Sequence, residues 1–275
     1  MIEMSALETK RNELTQLLKS YQRVMVAFSG GVDSAFLSAM ASEALGDAAM
    51  AITGVSASLS ASEKADAETV AAKIGIRHEW IETHEMDNPL YVANGPDRCF
   101  HCKDELYGIL GALAARDADA IVIDGTNADD LGDVRPGRRA ALLHNVRSPL
   151  AELGFTKDDI RGLSREMDLP TWDKPAMACL ASRIPTGTSV TVEALDQVAA
   201  AEAMLRGLGM RQVRVRHHGT MARIETDEAG TRLALDPDTR ADIVSRLKNL
   251  GFEKVTLDLA GYVPAGLQQR APESV

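Results

Sequence analysis

The stretch Ser29-Gly30-Gly31-Val32-Asp33-Ser34 decides the fold of this chain, because it joins a predicted strand to a predicted helix. The apolar run 24–28 predicts a buried strand, and the run 35–40 predicts a helix. The two glycines allow a tight turn and a close approach to an anion, at which the first helix amides point. The serines add hydroxyl donors, and the aspartate is a ligand that Mg²⁺ accepts. We therefore predict a phosphate-binding turn; the alternative is a serine-capped turn with two accidental glycines.

Strand-like and helix-like segments alternate around this turn. The strand-like runs are 48–55, 76–81 and 120–124, and the helix-like runs are 61–74 and 99–115. This alternation predicts an α/β fold with a parallel sheet covered on both faces, in which ligands lie beyond the carboxyl ends of the strands. Those ends carry further candidates for the same crevice: Ser56, Gly125, Asn127 and Asp129.

The segment 124–137 is polar and carries four aspartates. Because it follows a predicted strand at the ligand-binding edge, we expect Asp129, Asp130 or Asp133 to lie near Mg²⁺. The alternative is a solvated connection between two elements.

The second half of the chain has a different order of elements. A helix is predicted over 156–167 and a long irregular stretch over 170–188. Then come a helix over 192–208, strands over 212–217 and 221–226, a helix over 238–250 and a strand over 254–259. This pattern predicts two domains, residues 1–188 with the phosphate turn and residues 189–275 as a small α+β domain for substrate binding or oligomerisation.

Composition limits the class of protein. The 275 residues include 30 basic and 40 acidic ones, and the formal net charge of −10 opposes binding to a nucleic-acid backbone and favours a small substrate. No apolar run approaches the ~20 residues that cross a bilayer, and residues 1–19 read as a charged amphipathic helix rather than a signal peptide. We expect a cytoplasmic protein.

Three cysteines carry further chemistry. Cys99 and Cys102 form a CxxC at a predicted helix start, and Cys179 lies in the long irregular stretch near Lys174 and Arg183, whose charges favour a thiolate. A structural zinc wants four ligands, whereas three thiolates suit an iron–sulfur cluster with one open iron position. The alternative is three independent small apolar residues.

The turn 29–34 resembles the PP-loop of the ATP pyrophosphatases, which split ATP into AMP and pyrophosphate while adenylating a substrate. Further motifs make the resemblance narrower, because they occur in this order in LarE-type proteins. They are Arg98–Lys103, Gly125–Asp130, Arg135–Gly137, Lys174–Arg183, Val213–His217 and Ala222–Glu225.

The resemblance implies a PP-loop domain of the adenine nucleotide α-hydrolase type, ATP and Mg²⁺ as cofactors, and a homo-oligomer. It also implies sulfur transfer in the biosynthesis of the nickel-pincer cofactor, in which carboxylates of pyridinium-3,5-biscarboxylic acid mononucleotide become thiocarboxylates. Cys179 is then the sulfur-bearing catalytic residue. Either its own sulfur is surrendered, or Cys99, Cys102 and Cys179 hold a four-iron four-sulfur cluster that carries an extra sulfide; the CxxC favours the cluster.

Substrate-binding candidates are basic or hydroxyl side chains. Guanidinium groups pair bidentately with phosphate and carboxylate, which selects Arg183, Arg214 and Arg216. Lys103 and Ser182 are further candidates, although Lys103 also fits a solvated helix residue. For Arg214 and Arg216 the alternative is the exposed face of a strand, and only the family resemblance favours substrate binding over it.

The sequence evidence for a role as ligands is weaker for two carboxylates and two histidines. Glu202 and Glu225 are candidate ligands of a divalent metal, with surface salt bridges as the alternative. His217 and His218 fit ordinary strand-end residues better than ligands.

Three other functions compete with this interpretation. A PP-loop tRNA thiolase predicts a basic RNA-binding surface, which the net charge disfavours. An amidotransferase-type adenylating enzyme such as an NAD or GMP synthetase has no use for the cysteines. A nucleotide sensor predicts that ATP is never converted to AMP and pyrophosphate.

Overall fold

The computed structural model describes residues 6–117, 120–132, 136–175 and 178–262. Asp133 and the tail beyond residue 262 therefore lie outside the described residues. The chain forms two compact units. The first comprises Met1–Ser56, Ala61–Tyr91 and Gly95–Pro175, and the second comprises Ala57–Ser60, Val92–Asn94 and Ala176–Val275.

The first unit contains four strands and eight α-helices among its described residues, except that Val92, the last residue of α4, belongs to the second unit. The strands are β1 Val24–Ala27, β2 Ala49–Val55, β3 Arg77–Glu82 and β4 Ile121–Asp124. The helices are α1 Ala6–Tyr21, α2 Val32–Leu45, α3 Ala61–Ile74, α4 Pro89–Val92, α5 Arg98–Ala114, α6 Pro136–Leu143, α7 Pro149–Glu152 and α8 Lys157–Glu166.

The sheet of the first unit is parallel throughout, with the strand order β3-β2-β1-β4. Alternation along β1 sends Val24 and Val26 to one apolar core and Met25 and Ala27 to another. The first core packs against α1, α2, α3 and α8, and the second against α5 and α6. Helices thus cover both faces, and the predicted α/β fold with a parallel sheet is confirmed.

The second unit is a mixed sheet with helices. Its elements are α9 Val192–Gly207, β5 Val213–His218, β6 Met221–Thr226, α10 Glu228–Leu235, α11 Pro237–Asn249 and β7 Lys254–Leu257. Strand β6 is central, antiparallel to β5 and parallel to β7. Val213 and Val215 join the apolar core with residues of α9 and α11, so the arginines that alternate with them lie on the other face of the sheet.

Most boundaries predicted from periodicity lie within two residues of the observed ones, and 61–74 and 221–226 coincide with α3 and β6. The short helices α4, α6, α7 and α10 were not predicted, because one or two turns give too little periodicity. Within the described part of the chain, no helix is both long and apolar enough to cross a membrane.

Candidate active site

The phosphate turn has the backbone that its glycines predict. Gly30 has φ +67°, and a Cβ there would lie 3.1 Å from the Cα of Ala67 on α3. A side chain at this position would meet both backbone strain and a rigid neighbour. Gly31 follows as the N-cap of α2, so the first amides of that helix open onto the turn.

The two serines close the turn on itself. The Ser34 hydroxyl is buried, accepts a hydrogen bond from the Ser29 amide at 3.2 Å and donates to the Gly31 carbonyl at 3.2 Å. The two hydroxyl oxygens lie 3.1 Å apart. These bonds fix the shape of the turn.

Asp33 lies at the first turn of α2 and joins three elements. Its carboxylate accepts a hydrogen bond from the Asn127 side chain at 3.2 Å and pairs with the Lys157 ammonium group at 2.5 Å. Gly125 allows this proximity, because a Cβ there would lie 2.9 Å from the Ser34 amide nitrogen. The ends of β1 and β4 thus meet at the turn, as the sheet order predicts.

The loop after β4 is organised by Asn127, whose side chain is buried. Its amide oxygen accepts from the backbone amides of Asp129 and Asp130 at 3.0 and 3.3 Å. The Asp129 carboxylate in turn accepts from the Lys157 amide at 2.7 Å. Asn127 and Asp129 therefore lie at the same crevice as Asp33.

The sequence analysis did not predict nucleotide binding for two lysines that lie at this crevice. Lys157 pairs with Asp33, and Lys174 places its ammonium group 3.3 Å from the Gly30 carbonyl and 2.8 Å from the Asp66 carboxylate. Their positions depend on partners more than 100 residues away in sequence. The only local signal for Lys157 was the helix start after Thr156, which forms a capping box with Asp159.

At the neighbouring strand ends, Ser56 and Asp124 form hydrogen bonds with side chains of other elements, among them the buried Glu85 and Tyr107. The Ser56 hydroxyl donates to Glu85, a buried carboxylate that the sequence analysis also missed. Asp124 accepts hydrogen bonds from the Tyr107 hydroxyl and the Ser148 hydroxyl, both at 2.8 Å. Burial, together with the Asp124 charge, raises the pKa of Tyr107 well above its usual range, so this phenol remains a donor.

The cysteines lie on two different units. Cys99 is exposed on the first turn of α5, and Cys102, one helical turn further on, is half-buried. Lys103 follows with its ammonium group 5.1 Å from the centre of the Tyr107 ring. Cys179 is exposed and belongs to the second unit. No group of three or more His, Cys, Asp or Glu side chains placed to hold a metal ion occurs among the described residues.

The segment that carries Cys179 is held by Arg183. This guanidinium group is buried and pairs with Glu202 through its Nε at 2.8 Å and one Nη at 3.2 Å. Its other Nη donates to the carbonyls of Ala178 and Cys179 and to the Ser182 hydroxyl. Arg183 therefore fixes the backbone on both sides of the thiol.

Arg216 and Arg214 continue this cluster on β5. Arg216 pairs with Glu225 through Nε at 2.9 Å and Nη2 at 2.8 Å, and donates to the Ser182 carbonyl at 2.8 Å. Arg214 is 4% exposed and donates to the Tyr262 hydroxyl at 2.9 Å. Burial lowers the pKa of Arg214. The alternative of an exposed strand face is therefore wrong for Arg214.

Glu202 and Glu225 are both buried and both paired with arginines, including Arg206 and Arg223. The salt bridges weighed against a metal site exist, but they are buried rather than on the surface. Ligation of a divalent metal by Glu202 and Glu225 remains a prediction.

A strand that turns through glycines into a helix, with hydroxyls, an aspartate and lysines at one sheet edge, defines a PP-loop, ATP-dependent enzyme. The NAD synthase family model matches residues 7–97, which include this turn.

Three relatives align over almost the whole chain. A protein of Synechocystis described as uncharacterized is 46% identical over 93% of this chain and 96% of its own length. The pyridinium-3,5-bisthiocarboxylic acid mononucleotide synthase of Lactiplantibacillus plantarum is 39% identical over 94% of each chain. An uncharacterized protein of Methanocaldococcus jannaschii is 28% identical over 95% of this chain and 99% of its own.

The chain belongs to the family of pyridinium-3,5-bisthiocarboxylic acid mononucleotide synthases, the LarE-type proteins, as its motifs predicted. It is an ATP-dependent enzyme of the sulfurtransferase class.

Proposed function

We propose that this enzyme adenylates a carboxylate of pyridinium-3,5-biscarboxylic acid mononucleotide and converts it to a thiocarboxylate. The observation that carries the proposal is the 39% identity, over 94% of both chains, with a relative named for the bisthiocarboxylic acid product. The NAD synthase match covers only residues 7–97, so it supports the use of ATP rather than the formation of an amide.

The first half of the proposed reaction uses the phosphate turn. The amides after Gly30 and Gly31 and the ammonium groups of Lys157 and Lys174 hold the phosphates, while a substrate carboxylate oxygen attacks the α-phosphorus. Pyrophosphate leaves and an acyl-adenylate forms. The carboxylates of Asp33 and Asp129 supply the hard oxygen ligands that suit Mg²⁺, which neutralises phosphate charge when bound.

The second half uses Cys179. Its thiolate attacks the acyl carbon, AMP leaves with the bond electrons, and a thioester links the substrate to the protein. Loss of the cysteine α-hydrogen as a proton then breaks the Cβ–S bond. The products are a thiocarboxylate and a dehydroalanine at position 179, with the sulfur transferred and no external oxidant required.

A cluster is the other source of sulfur that we propose, and the CxxC favours it over transfer from Cys179 itself. Cys99 and Cys102, one turn apart at the start of α5, fit two of its three thiolate ligands, and Cys179 would be the third. When bound, such a cluster would supply sulfide at an open iron position and leave the polypeptide intact.

Intact mass separates the two routes. Protein purified without oxygen is incubated with ATP and the substrate, and its iron content and mass are measured. Loss of about 34 Da, the mass of one H₂S, supports transfer from Cys179 itself. Iron-loaded protein of unchanged mass that forms product supports the cluster.

Serine variants are the controls for this experiment. C179S should release pyrophosphate without thiolated product, because adenylation does not need the thiol. C99S should retain one turnover only if the sulfur comes from Cys179. Wild-type protein that converts ATP but never thiolates the substrate would overturn the proposal, and thiolation of tRNA instead would favour the tRNA thiolase.

A further inference from the structure

A cavity of about 580 Å³ lies within the second unit. Its wall combines the segment after Cys179, strands β5 and β6, and the segment after β7. The charged or titratable residues of the wall are Arg183, Arg216, His218, Arg223, Glu225 and Asp258. This volume is in the range that holds a small-molecule ligand such as a mononucleotide.

The cluster around this cavity is positively charged. Three guanidinium groups of the wall, those of Arg183, Arg216 and Arg223, stand against two carboxylates of the wall, those of Glu225 and Asp258. Burial and the nearby arginines lower the pKa of His218, so this imidazole adds no charge at neutral pH. In a chain of net charge −10, this local excess of one positive charge favours an anionic ligand.

Arg183 and Arg216 use all three of their side-chain nitrogens in hydrogen bonds within the protein. Arg183 and Arg216 each hold one carboxylate through two nitrogens and donate the third to backbone carbonyls of the segment 178–182. Side-chain exposures of 6% and 12% leave little of either guanidinium group open to a ligand.

Arg223 differs in exposure and in pairing. Its side chain is 39% exposed, and it lies opposite Arg216 in the register of β5 and β6. Nη2 donates to Glu225 at 3.0 Å, a carboxylate that Arg216 already binds bidentately, and Nε lies 3.4 Å from Asp258. Within the described part of the chain, Nη1 makes no hydrogen bond.

We propose that Arg223 binds the phosphomonoester of the mononucleotide substrate, with the cavity as its binding site. This inference rests on the proposed function and extends it to a residue for specificity. A phosphate oxygen pairs with the open edge of the guanidinium group, while Arg216 keeps Glu225 neutralised. Arg223 thereby distinguishes the nucleotide from the nucleoside that lacks the phosphate.

Calorimetric titration tests the assignment without sulfur transfer. The full chain is titrated with pyridinium-3,5-biscarboxylic acid mononucleotide and with its dephosphorylated nucleoside. Wild-type protein should bind the mononucleotide at least about tenfold more tightly, and R223M should lose that preference while the nucleoside affinity stays within about twofold. R223K should fall between the two, because an ammonium group keeps the charge but not the fork.

R232M is the matched control, since Arg232 is a 77% exposed arginine of the same unit that pairs with Glu228. It should keep the phosphate preference unchanged. An R223M protein that loses affinity for both ligands equally, or keeps the preference, overturns the assignment. If R223M does not fold, as judged by thermal melting, R223K alone decides it, and a wild-type preference in R223K overturns the proposal.

The failures of the two proposals are distinguishable. A phosphate preference that depends on Arg223 in a protein that never forms thiocarboxylate leaves this inference standing and overturns the proposed function. If the protein forms thiocarboxylate but its phosphate preference does not depend on Arg223, the proposed function stands and this inference is overturned. Wild-type protein that binds neither ligand overturns both.

Discussion

At the scale of the residue, ion pairs organise the phosphate turn as much as its glycines do. Asp33 and Lys157 pair at 2.5 Å, and Lys174 contacts both the Gly30 carbonyl and Asp66. Each lysine is thus held at the turn by a carboxylate. Phosphate oxygens that arrive there meet ammonium groups already in position, which reduces the entropy lost on binding.

Replacing Lys157 with methionine should weaken ATP binding. Loss of a positioned ammonium group beside the phosphates should raise the KM for ATP in pyrophosphate release by about tenfold or more. Steady-state kinetics with ATP as the varied substrate measure the effect. The control is K73M, since Lys73 pairs with Asp168 on the surface at 2.9 Å. Equal KM values for K157M and wild type would contradict a role in ATP binding.

At the scale of the element, the close approach of the β4 loop to α2 builds the site. Gly125 lies against the first turn of α2, where an added Cβ would be 2.9 Å from the Ser34 nitrogen and 3.1 Å from the Asp33 carbonyl carbon. Backbone atoms of a helix start cannot move aside as a flexible side chain can. A glycine is therefore required by packing at Gly125, where φ is not positive.

The variant G125A tests this approach. Overpacking should lower the free energy of unfolding by about 1–3 kcal/mol and separate the two strand ends at which we propose that ATP binds. Urea denaturation and ATP titration measure the two effects. G132A is the matched control, since an added Cβ at Gly132 meets nothing within 4 Å. If G125A and G132A have equal stability and equal ATP affinity, the close approach is not needed.

At the scale of the whole molecule, three histidines link stability to pH. Burial lowers the pKa of His78 in the first unit and of His217 and His218 in the second below the ordinary value of 6.5. The unfolded chain therefore binds more protons than the folded chain as the pH falls from 6.5 through the lowered values. Stability from these groups is complete above 6.5 and is lost on acidification.

Melting temperature should consequently fall between about pH 7 and pH 5. The variant H217Q should weaken this dependence, because a glutamine side chain does not titrate. The lowered pKa values of Glu152 and Asp159 act only below this range, since their ordinary values are 4.5 and 3.8. A melting temperature that is constant or rises as the pH falls would contradict the expectation.

The sequence by itself determined the alternation of elements, the phosphate turn and the family. Apolar periodicity, glycines and cap residues act over a few positions, so β1, α2 and the turn between them were predictable from local pattern alone. The candidate phosphate-binding residues from Ser29 to Ser34 were predictable from the same local pattern. Short helices such as α10 gave too little periodicity to be seen.

Only the tertiary structure decided which charged groups meet. Lys157 pairs with Asp33 across 124 positions and Lys174 reaches Gly30 across 144. In the second unit, strand register places Arg223, whose side chain is 39% exposed, opposite Arg216, whose side chain is 12% exposed. Electrostatic contacts depend on the distance between charges in space. These distances arise only when strands and helices pack, so they cannot be predicted from the linear sequence pattern.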